Sequence, residues 1–341
     1  MKKCKLIDIC TPKQWKTIPT SELMNSGYPV YGANGVIGYY RDYNHEKPTV
    51  TITCRGATCG NINLTIPQSY VTSNAMCLDN VDENVLVKYL YYAMRAFNFT
   101  KVISGSAQPQ ITRENLQKVE ICVYSIEKQS MIVNHLEAVE RLIHNRKMQL
   151  EKLYELVQSR FVEMFGDPIL NNKCFHTVVG ERLFKLSNGK AVPEGKRYEA
   201  GVPAYGGNGV SWFTDEFLMA EDTLVVGRVG FQSGNVHYAV GPLWITDNAM
   251  YISQYDKDKF NLVFLCELMK HVNFSRFQDA GDLKKITQKP FMSFQYILPP
   301  ITLQEQFVSF VAKVDKSKSA IQKSLDELEI LKKSLMQKYF G

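Results

Sequence analysis

The 341-residue chain lacks the usual signatures of a catalyst. It has no G-x-x-x-x-G-K-[ST] phosphate loop and no G-x-G-x-x-G. Gly32-x-x-Gly35-x-x-Gly38 has the wrong spacing for a dinucleotide loop and suits a β-turn. Neither Asn-Pro-Pro-Tyr nor Asp-Pro-Pro-Tyr occurs, which argues against an adenine-methylating active site, and G-x-S-x-G and H-E-x-x-H are also missing. The six histidines form no spaced ligand set. Asp282-Leu-Lys284 has the D-x-K tail of a metal-dependent nuclease, but its counterpart around Ser106–Gln108 carries no carboxylate, so a charged loop is expected. The eight cysteines include no C-x-x-C pair. Free, buried thiols in a reducing compartment are therefore expected, rather than zinc or disulfides. No apolar run approaches the ~20 residues of a membrane span. Met1–Ile9 is too short and too charged for a signal peptide, which makes cytoplasm the expected location. Charge is nearly balanced, with 40 Lys and Arg against 34 Asp and Glu. The net +6 permits a polyanion partner without demanding one.

What the chain does have is a repeat. Pro29-Val-Tyr31-Gly32-Ala-Asn34-Gly35-Val36 returns as Pro203-Ala-Tyr205-Gly206-Gly-Asn208-Gly209-Val210, at an offset of 174. Thr72-Ser-Asn74-Ala75-Met76 returns as Thr246-Asp-Asn248-Ala249-Met250 at the same offset. Arg55-Gly56 through Gly60-Asn61 matches Arg228 through Gly234-Asn235 with one residue inserted. Ile111-Thr112 matches Ile286-Thr287, and Met164-Phe165-Gly166 matches Tyr339-Phe340-Gly341, both at 175. Ile126-Glu-Lys-Gln129 resembles Leu303-Gln-Glu-Gln306 at 177. Six matches in order at nearly constant offset indicate a duplicated unit. Each copy carries strand-like runs (Thr49–Cys54; Thr223–Gly227), Gly/Asn turns and a helical patch (Glu83–Phe97; Phe260–Val272). A polar loop (Ser104–Gln110; Ala280–Lys285) and a further strand-like run (Val119–Tyr124; Phe294–Pro300) follow.

Each copy ends in a long helix, about Glu127–Phe165 and about Gln304–Phe340. Ile132, Leu136, Val139, Ile143, Arg146, Leu150, Leu153, Val157, Arg160 and Met164 are spaced alternately four and three apart. Phe307, Val311, Val314, Lys318, Ile321, Leu325, Leu328, Lys332, Leu335 and Tyr339 repeat that spacing 175 residues later. Such spacing makes the narrow apolar seam of a coiled coil. The basic interruptions either set pairing register or lie along the coiled-coil edge. The short Gly166–Cys174 link leaves no return path for a parallel pair, so antiparallel pairing is expected.

Arg, Asn, Gln, Ser and Thr contact base edges or phosphates, and aromatic residues pack on sugars and thymine methyls. Such residues cluster in both heads: Tyr31, Asn34, Arg55, Thr58, Asn61 and Asn74 in one, Tyr205, Asn208, Arg228, Gln232, Asn235 and Asn248 in the other. Each Asn beside Gly also suits a turn, so the clustering rather than any single residue carries the signal. Two similar heads on a fixed spacer suggest recognition of two sites at a set separation, so residues shared by the heads suit turn geometry or phosphate grip. Residues that differ at matched positions are the candidates for base reading. These include Arg41, His45 and Lys47 in the first head and Trp212, His237 and Lys284 in the second, with Ser106 and Gln108 in the loop matching Asp282–Lys285.

The chain resembles the specificity subunit of a type I restriction–modification system over nearly its whole length. The resemblance rests on the two Tyr-Gly-x-Asn-Gly openings, the Arg55/Gly60-Asn61 and Arg228/Gly234-Asn235 segments, Asn74-Ala75 and Asn248-Ala249. It rests also on Leu298-Pro-Pro300-Ile-Thr-Leu303-Gln-Glu305-Gln306 leading into a long helix; the first copy, Val123–Gln129, departs by lacking the prolines. The resemblance implies a mixed α/β (α+β) fold. Two similar target-recognition domains (1–125 and 167–302) would be separated by two long antiparallel coiled-coil helices (126–166 and 303–341) in a pseudo-two-fold repeat. It implies a non-catalytic subunit binding a bipartite site in double-stranded DNA, with helices that seat two modification (methyltransferase) subunits. S-adenosylmethionine would sit on those subunits, and ATP and Mg on motor-nuclease restriction subunits, with no cofactor, metal or membrane contact in this chain. The rival expectations are a non-DNA coiled-coil scaffold with two binding domains, and a self-contained nuclease or methyltransferase.

Overall fold

The structure is a computed structural model that describes residues 2–105, 108–192, 195–281 and 284–341. The first copy runs β1 (Lys2–Lys5), α1 (Leu6–Ile9), β2 (Thr11–Gln14), β3 (Tyr28–Gly32), β4 (Gly35–Tyr40), β5 (Val50–Thr53), β6 (Ile62–Leu64), β7 (Tyr70–Val71) and β8 (Ala75–Asp79). It continues through α2 (Val87–Ala96), α3 (Arg113–Leu116) and β9 (Glu120–Val123) into the long helix α4 (Ile126–Phe165). The second copy runs β10 (Thr177–Val179), β11 (Phe184–Asn188), β12 (Val202–Gly206), β13 (Gly209–Thr214), β14 (Thr223–Gly227), β15 (Val236–Ala239), β16 (Trp244–Ile245) and β17 (Ala249–Tyr255). Then come α5 (Leu262–Val272), α6 (Lys289–Ser293), β18 (Gln295–Ile297) and the long helix α7 (Ile301–Phe340).

The duplication read from short motifs extends to every sheet. The first head has a four-stranded sheet β2-β8-β5-β6, a three-stranded sheet β4-β3-β7 and the pair β1-β9. The second has β11-β17-β14-β15, β13-β12-β16 and β10-β18 in the same order. Even the irregularities repeat: the β3–β4 register slips between Val30 and Tyr31, and that of β12–β13 between Ala204 and Tyr205. An extra residue at one place in a hairpin re-aims the side chains beyond it, here toward the turn at Asn34 or Asn208.

The chain forms two compact units, Met1–Lys147 with Lys323–Gly341, and Met148–Gln322. Each unit joins one head to the near part of its own long helix and a part of the other. In the first, His135 Nδ1 lies 3.3 Å from the Tyr339 hydroxyl, Lys332 pairs with Glu140 at 2.6 Å, and Lys147 pairs with Glu329 at 3.1 Å. Rising numbers on α4 meet falling numbers on α7, so the pairing is antiparallel. In the second unit Val157, Phe161 and Phe165 of α4 share a core with Phe307, Val311 and Val314 of α7. Every expected seam residue is buried or half-buried.

The four-three spacing does not mark Phe161 and Phe165, both fully buried beside the seam. A two-helix seam needs only a narrow stripe, but near its end the helix also meets the head. Phe165 packs edge-on against Phe264 of α5, with ring centroids 4.7 Å apart, and Phe161 stacks on His271 at 4.0 Å. Each buried ring is worth roughly 1.5–3 kcal/mol. The basic seam residue Lys332 is no bystander either. Burial pushes the Glu140 carboxyl up, but Lys332, Tyr92 and Arg95 together hold it below its ordinary range.

A buried glutamine secures each head to its helix. Gln129 is fully buried; its side-chain oxygen accepts from the Leu86 N–H, and its amide donates to the carbonyls of Asn84 and Tyr124, each at 2.8 Å. Gln304 repeats this, accepting from the Asn261 N–H at 3.0 Å and donating to the Lys259 and Pro299 carbonyls at 2.9 Å. The true counterpart of Gln129 is thus Gln304, at offset 175, and not Gln306 as the match at 177 suggests. Only an amide offers both the acceptor and the donors needed. Gln129→Leu or Gln304→Leu should lower stability by roughly 2–4 kcal/mol, because buried backbone groups lose their partners. Urea unfolding checks this, with Trp15 as the reporter of the first unit. An unchanged midpoint would remove the clamp from the account.

Candidate nucleic-acid interface

Four loops of the first head meet at one tip, joined largely through backbone groups. The Ala33 carbonyl at the β3–β4 turn accepts from the Thr53 hydroxyl and from Asn63 Nδ2. The β5–β6 loop closes on itself, with Cys59 N–H donating to Gly56 O and Asn61 N–H to Thr58 O, both at 3.0 Å. Gly56 and Gly60 have φ of 86° and 94°, a conformation that favours glycine. The turn before β8 is tied in by Cys54 N–H to Asn74 O at 3.3 Å and by Gln14 Nε2 to Ser73 O at 2.8 Å. The polar loop joins through Gly56 N–H to Pro109 O at 3.2 Å and Ile111 N–H to Cys54 O at 3.0 Å. Asn34, Arg55, Asn61, Asn74 and Gln108 are exposed there, and Thr58 is half-exposed. Backbone groups hold these loops, which leaves most of their exposed side chains available to a ligand.

The second head builds the same tip. Arg228 N–H donates to Asn248 O at 2.9 Å, Ile286 N–H to Arg228 O at 3.0 Å, and Gly230 N–H to Lys284 O at 2.8 Å. Arg228 thus stands where Cys54 does in the first head and Val229 where Arg55 does, so the expected Arg55–Arg228 match with one residue inserted does not hold. Lys285 pairs with Val229 across this junction. Asn208, Trp212, Gln232 and Asn248 line a cleft of about 700 Å³. Arg197 lies over the Trp212 ring, 5.1 Å from its centroid. Asn235 instead uses its amide to hold Gln232, and so orients that side chain.

Several expected contacts fall elsewhere. Tyr31 is buried, and its hydroxyl accepts from the Ile66 N–H at 3.3 Å. Tyr205 is half-buried, and burial pushes its hydroxyl pKa up. Arg41 and Lys47 are exposed, but their segment pairs with Ser69 through His45 rather than joining the four loops. His45 is a core residue: Nε2 meets Asp79 at 3.0 Å and Nδ1 meets Asn44 at 2.7 Å, leaving no ring nitrogen for a base. His237 sits on β15 in a separate depression with Lys270 and Asn273, where burial lowers its pKa. Ser106 and Asp282 lie outside the described residues. Sequence reasoning passed over Lys13 and Arg113, which line a basic groove beside Arg55, and Arg197. They stand outside the shared motifs, though Arg113 directly follows Ile111-Thr112, and folding brings them to the tip.

The eight cysteines are free, four of them buried, while Cys174 is exposed. His45, Cys77 and Asp79 bring ligand-type atoms within 4.8 Å of one another. Asp79 already accepts from His45 and, at 3.0 Å, from Trp15 Nε1, and burial pushes the Cys77 thiol well up. His45 and Asp79 are thus already partnered by hydrogen bonds, and a protonated Cys77 thiol is a poor metal ligand. Among the described residues no helix is long and apolar enough to cross a membrane.

A family model described as the type I restriction modification DNA specificity domain matches residues 1–152 and 181–330. The EcoprrI specificity subunit of Escherichia coli is 30% identical over 118 residues, which are 35% of this chain but only 29% of that protein. A putative type I specificity subunit of Mycoplasma genitalium is 22% identical over 87% of this chain and 82% of its own length. The crystal structure of the type I restriction–modification S subunit from M. genitalium superposes with a TM-score of 0.72 at 18% identity, covering 100% of this chain and 96% of that one. A structure described as showing complex assembly and conformational transition of the type I system matches at 0.57 and 15% identity, covering 99% and 97%. With both halves matched by the domain model, and one architecture shared end to end, the chain belongs to the family of type I restriction–modification specificity subunits, the non-catalytic DNA-recognition components of those systems.

Proposed function

We propose that this chain reads a split sequence in double-stranded DNA, one half-site per head. The observation that carries this reading is the tip built twice. One set of backbone bonds holds the loops in both heads, while side chains differ at matched positions, such as the half-exposed Thr58 and Gln232. Identical residues there suit phosphate contact and turn geometry; differing ones suit base edges.

The heads at 1–125 and 167–302 supply recognition, and the helical segments 126–166 and 303–341 fix the unspecified spacer and seat partners. Those partners are two modification subunits that methylate adenine with S-adenosylmethionine, and motor-nuclease subunits that use ATP and Mg to translocate and cleave. This chain directs both activities and contributes no cofactor site to either. Its work lies in the cytoplasm, where the DNA is.

Arg55 and Arg228 occupy different positions of the two tips but are both exposed guanidinium groups suited to phosphate. Arg55→Ala and Arg228→Ala should therefore each weaken binding about tenfold, flatten its salt dependence and leave sequence preference unchanged. Truncating Gln108 or Lys284 should instead relax one half-site. Selection from randomised duplexes checks both, and unchanged preference after both loop substitutions sinks the assignment. Binding that ignores sequence altogether would favour the scaffold reading.

The helices generate a separate expectation. Inserting about seven residues, two turns, after both Lys147 and Gln322 lengthens each helix by roughly 10 Å. At about 3.4 Å per base pair, the permitted spacer should change by roughly three base pairs with both half-sites intact. Methylome sequencing gives the target directly; altered half-sites with an unaltered spacer would refute the role of the helices.

A further inference from the structure

Phe231 is 91% exposed, more than any other large apolar residue among those described, the next being Leu170 at 76%. It stands at the apex of the β14–β15 loop, which is not a loose one. Gly230 and Gly234 have φ of 92° each, and Ser233 N–H donates to Gly230 O at 3.0 Å. Lys284 O holds the Gly230 N–H, and Gln278 Nε2 reaches Ser233 O at 2.5 Å and Phe231 O at 3.4 Å. The matching loop of the first head has the same glycines, φ signs and internal bonds, yet carries Ala57 at this apex. The backbone requirement is therefore met without an aromatic ring, and the fold does not explain Phe231.

The ring borders the cleft whose other walls include Asn208, Gln232 and Asn248. An apolar apex beside amide side chains matches one base pair in the major groove. Adenine presents N6 and N7 to an amide, and its thymine partner presents an apolar 5-methyl. We propose that Phe231 reads a thymine methyl in the half-site of the second head, a contact the first head lacks. This inference rests on the DNA-reading role proposed above.

The test uses the full chain assembled with its modification subunits. Selection from randomised duplexes first defines the split target. Each thymine is then replaced by deoxyuridine, which removes only the methyl group. The wild-type assembly should lose roughly three- to fivefold in affinity at one thymine of one half-site, the effect of exposing about one methyl group. Phe231→Ala should lose that sensitivity and accept other bases at that position, leaving the other half-site unchanged. A residue so exposed can be truncated without loss of folding, which thermal melting confirms. If Phe231→Ala keeps both the wild-type preference and the deoxyuridine sensitivity, this inference alone is overturned. If the wild-type assembly selects no split sequence, the DNA-reading role fails and takes this inference with it.

Discussion

Everything at the tips depends on how firmly each head is held to the helices, and a buried glutamine on each long helix does much of that work. Gln129 and Gln304 each join the first turn of a long helix to the start of a helix in the head, α2 or α5, and to the chain just before the long helix. These backbone groups are shielded from water, so each lost bond carries a desolvation cost. The aromatic residues near the helix ends add area to the same junction. Tyr339 enters the core of the first head, and Phe161 and Phe165 enter that of the second. A head so fixed cannot swivel freely about its helix, and a rigid mount is what specific docking on a duplex requires.

The tips follow a complementary logic. Their loops are tied together by backbone N–H and C=O groups, assisted by a few side chains such as Thr53 and Gln14. Loops stapled this way tolerate changes in outward-facing side chains. One scaffold can therefore present two different sets of side chains, with Ala57 and Thr58 at one apex and Phe231 and Gln232 at the other. The core beneath is less permissive. His45 differs from its counterpart across the duplication as a base reader would, but it differs because the first head buries a Trp15–Asp79–His45–Asn44 chain of polar contacts. Divergence between the copies at this position thus has a structural cause in the core of the first head.

The periodicity made the long helices legible nearly to their ends, since α4 begins at Ile126 and α7 at Ile301. The four-three spacing also identified the seam. It could not identify Phe161 and Phe165, because their burial comes from a third element, α5, whose approach no local pattern encodes. The repeated Tyr-Gly-x-Asn-Gly motif located both tips but misassigned its own tyrosine. A tyrosine at a turn looks like a contact residue until the neighbouring strands close over it, as they do over Tyr31.

By itself the sequence determined the duplication, the two coiled-coil helices and the family, because these depend on residue types recurring at set intervals along one chain. The tertiary structure alone decided which side chains share the tip. Lys13, Arg55, Gln108 and Arg113 lie up to a hundred residues apart, and strand pairing with loop-to-loop backbone bonds brings their segments together. It alone decided the glutamine equivalence too, since one hydrogen-bonding task, rather than local similarity, makes Gln304 the partner of Gln129. Burial and backbone satisfaction are properties of the packed chain, and no single segment carries them.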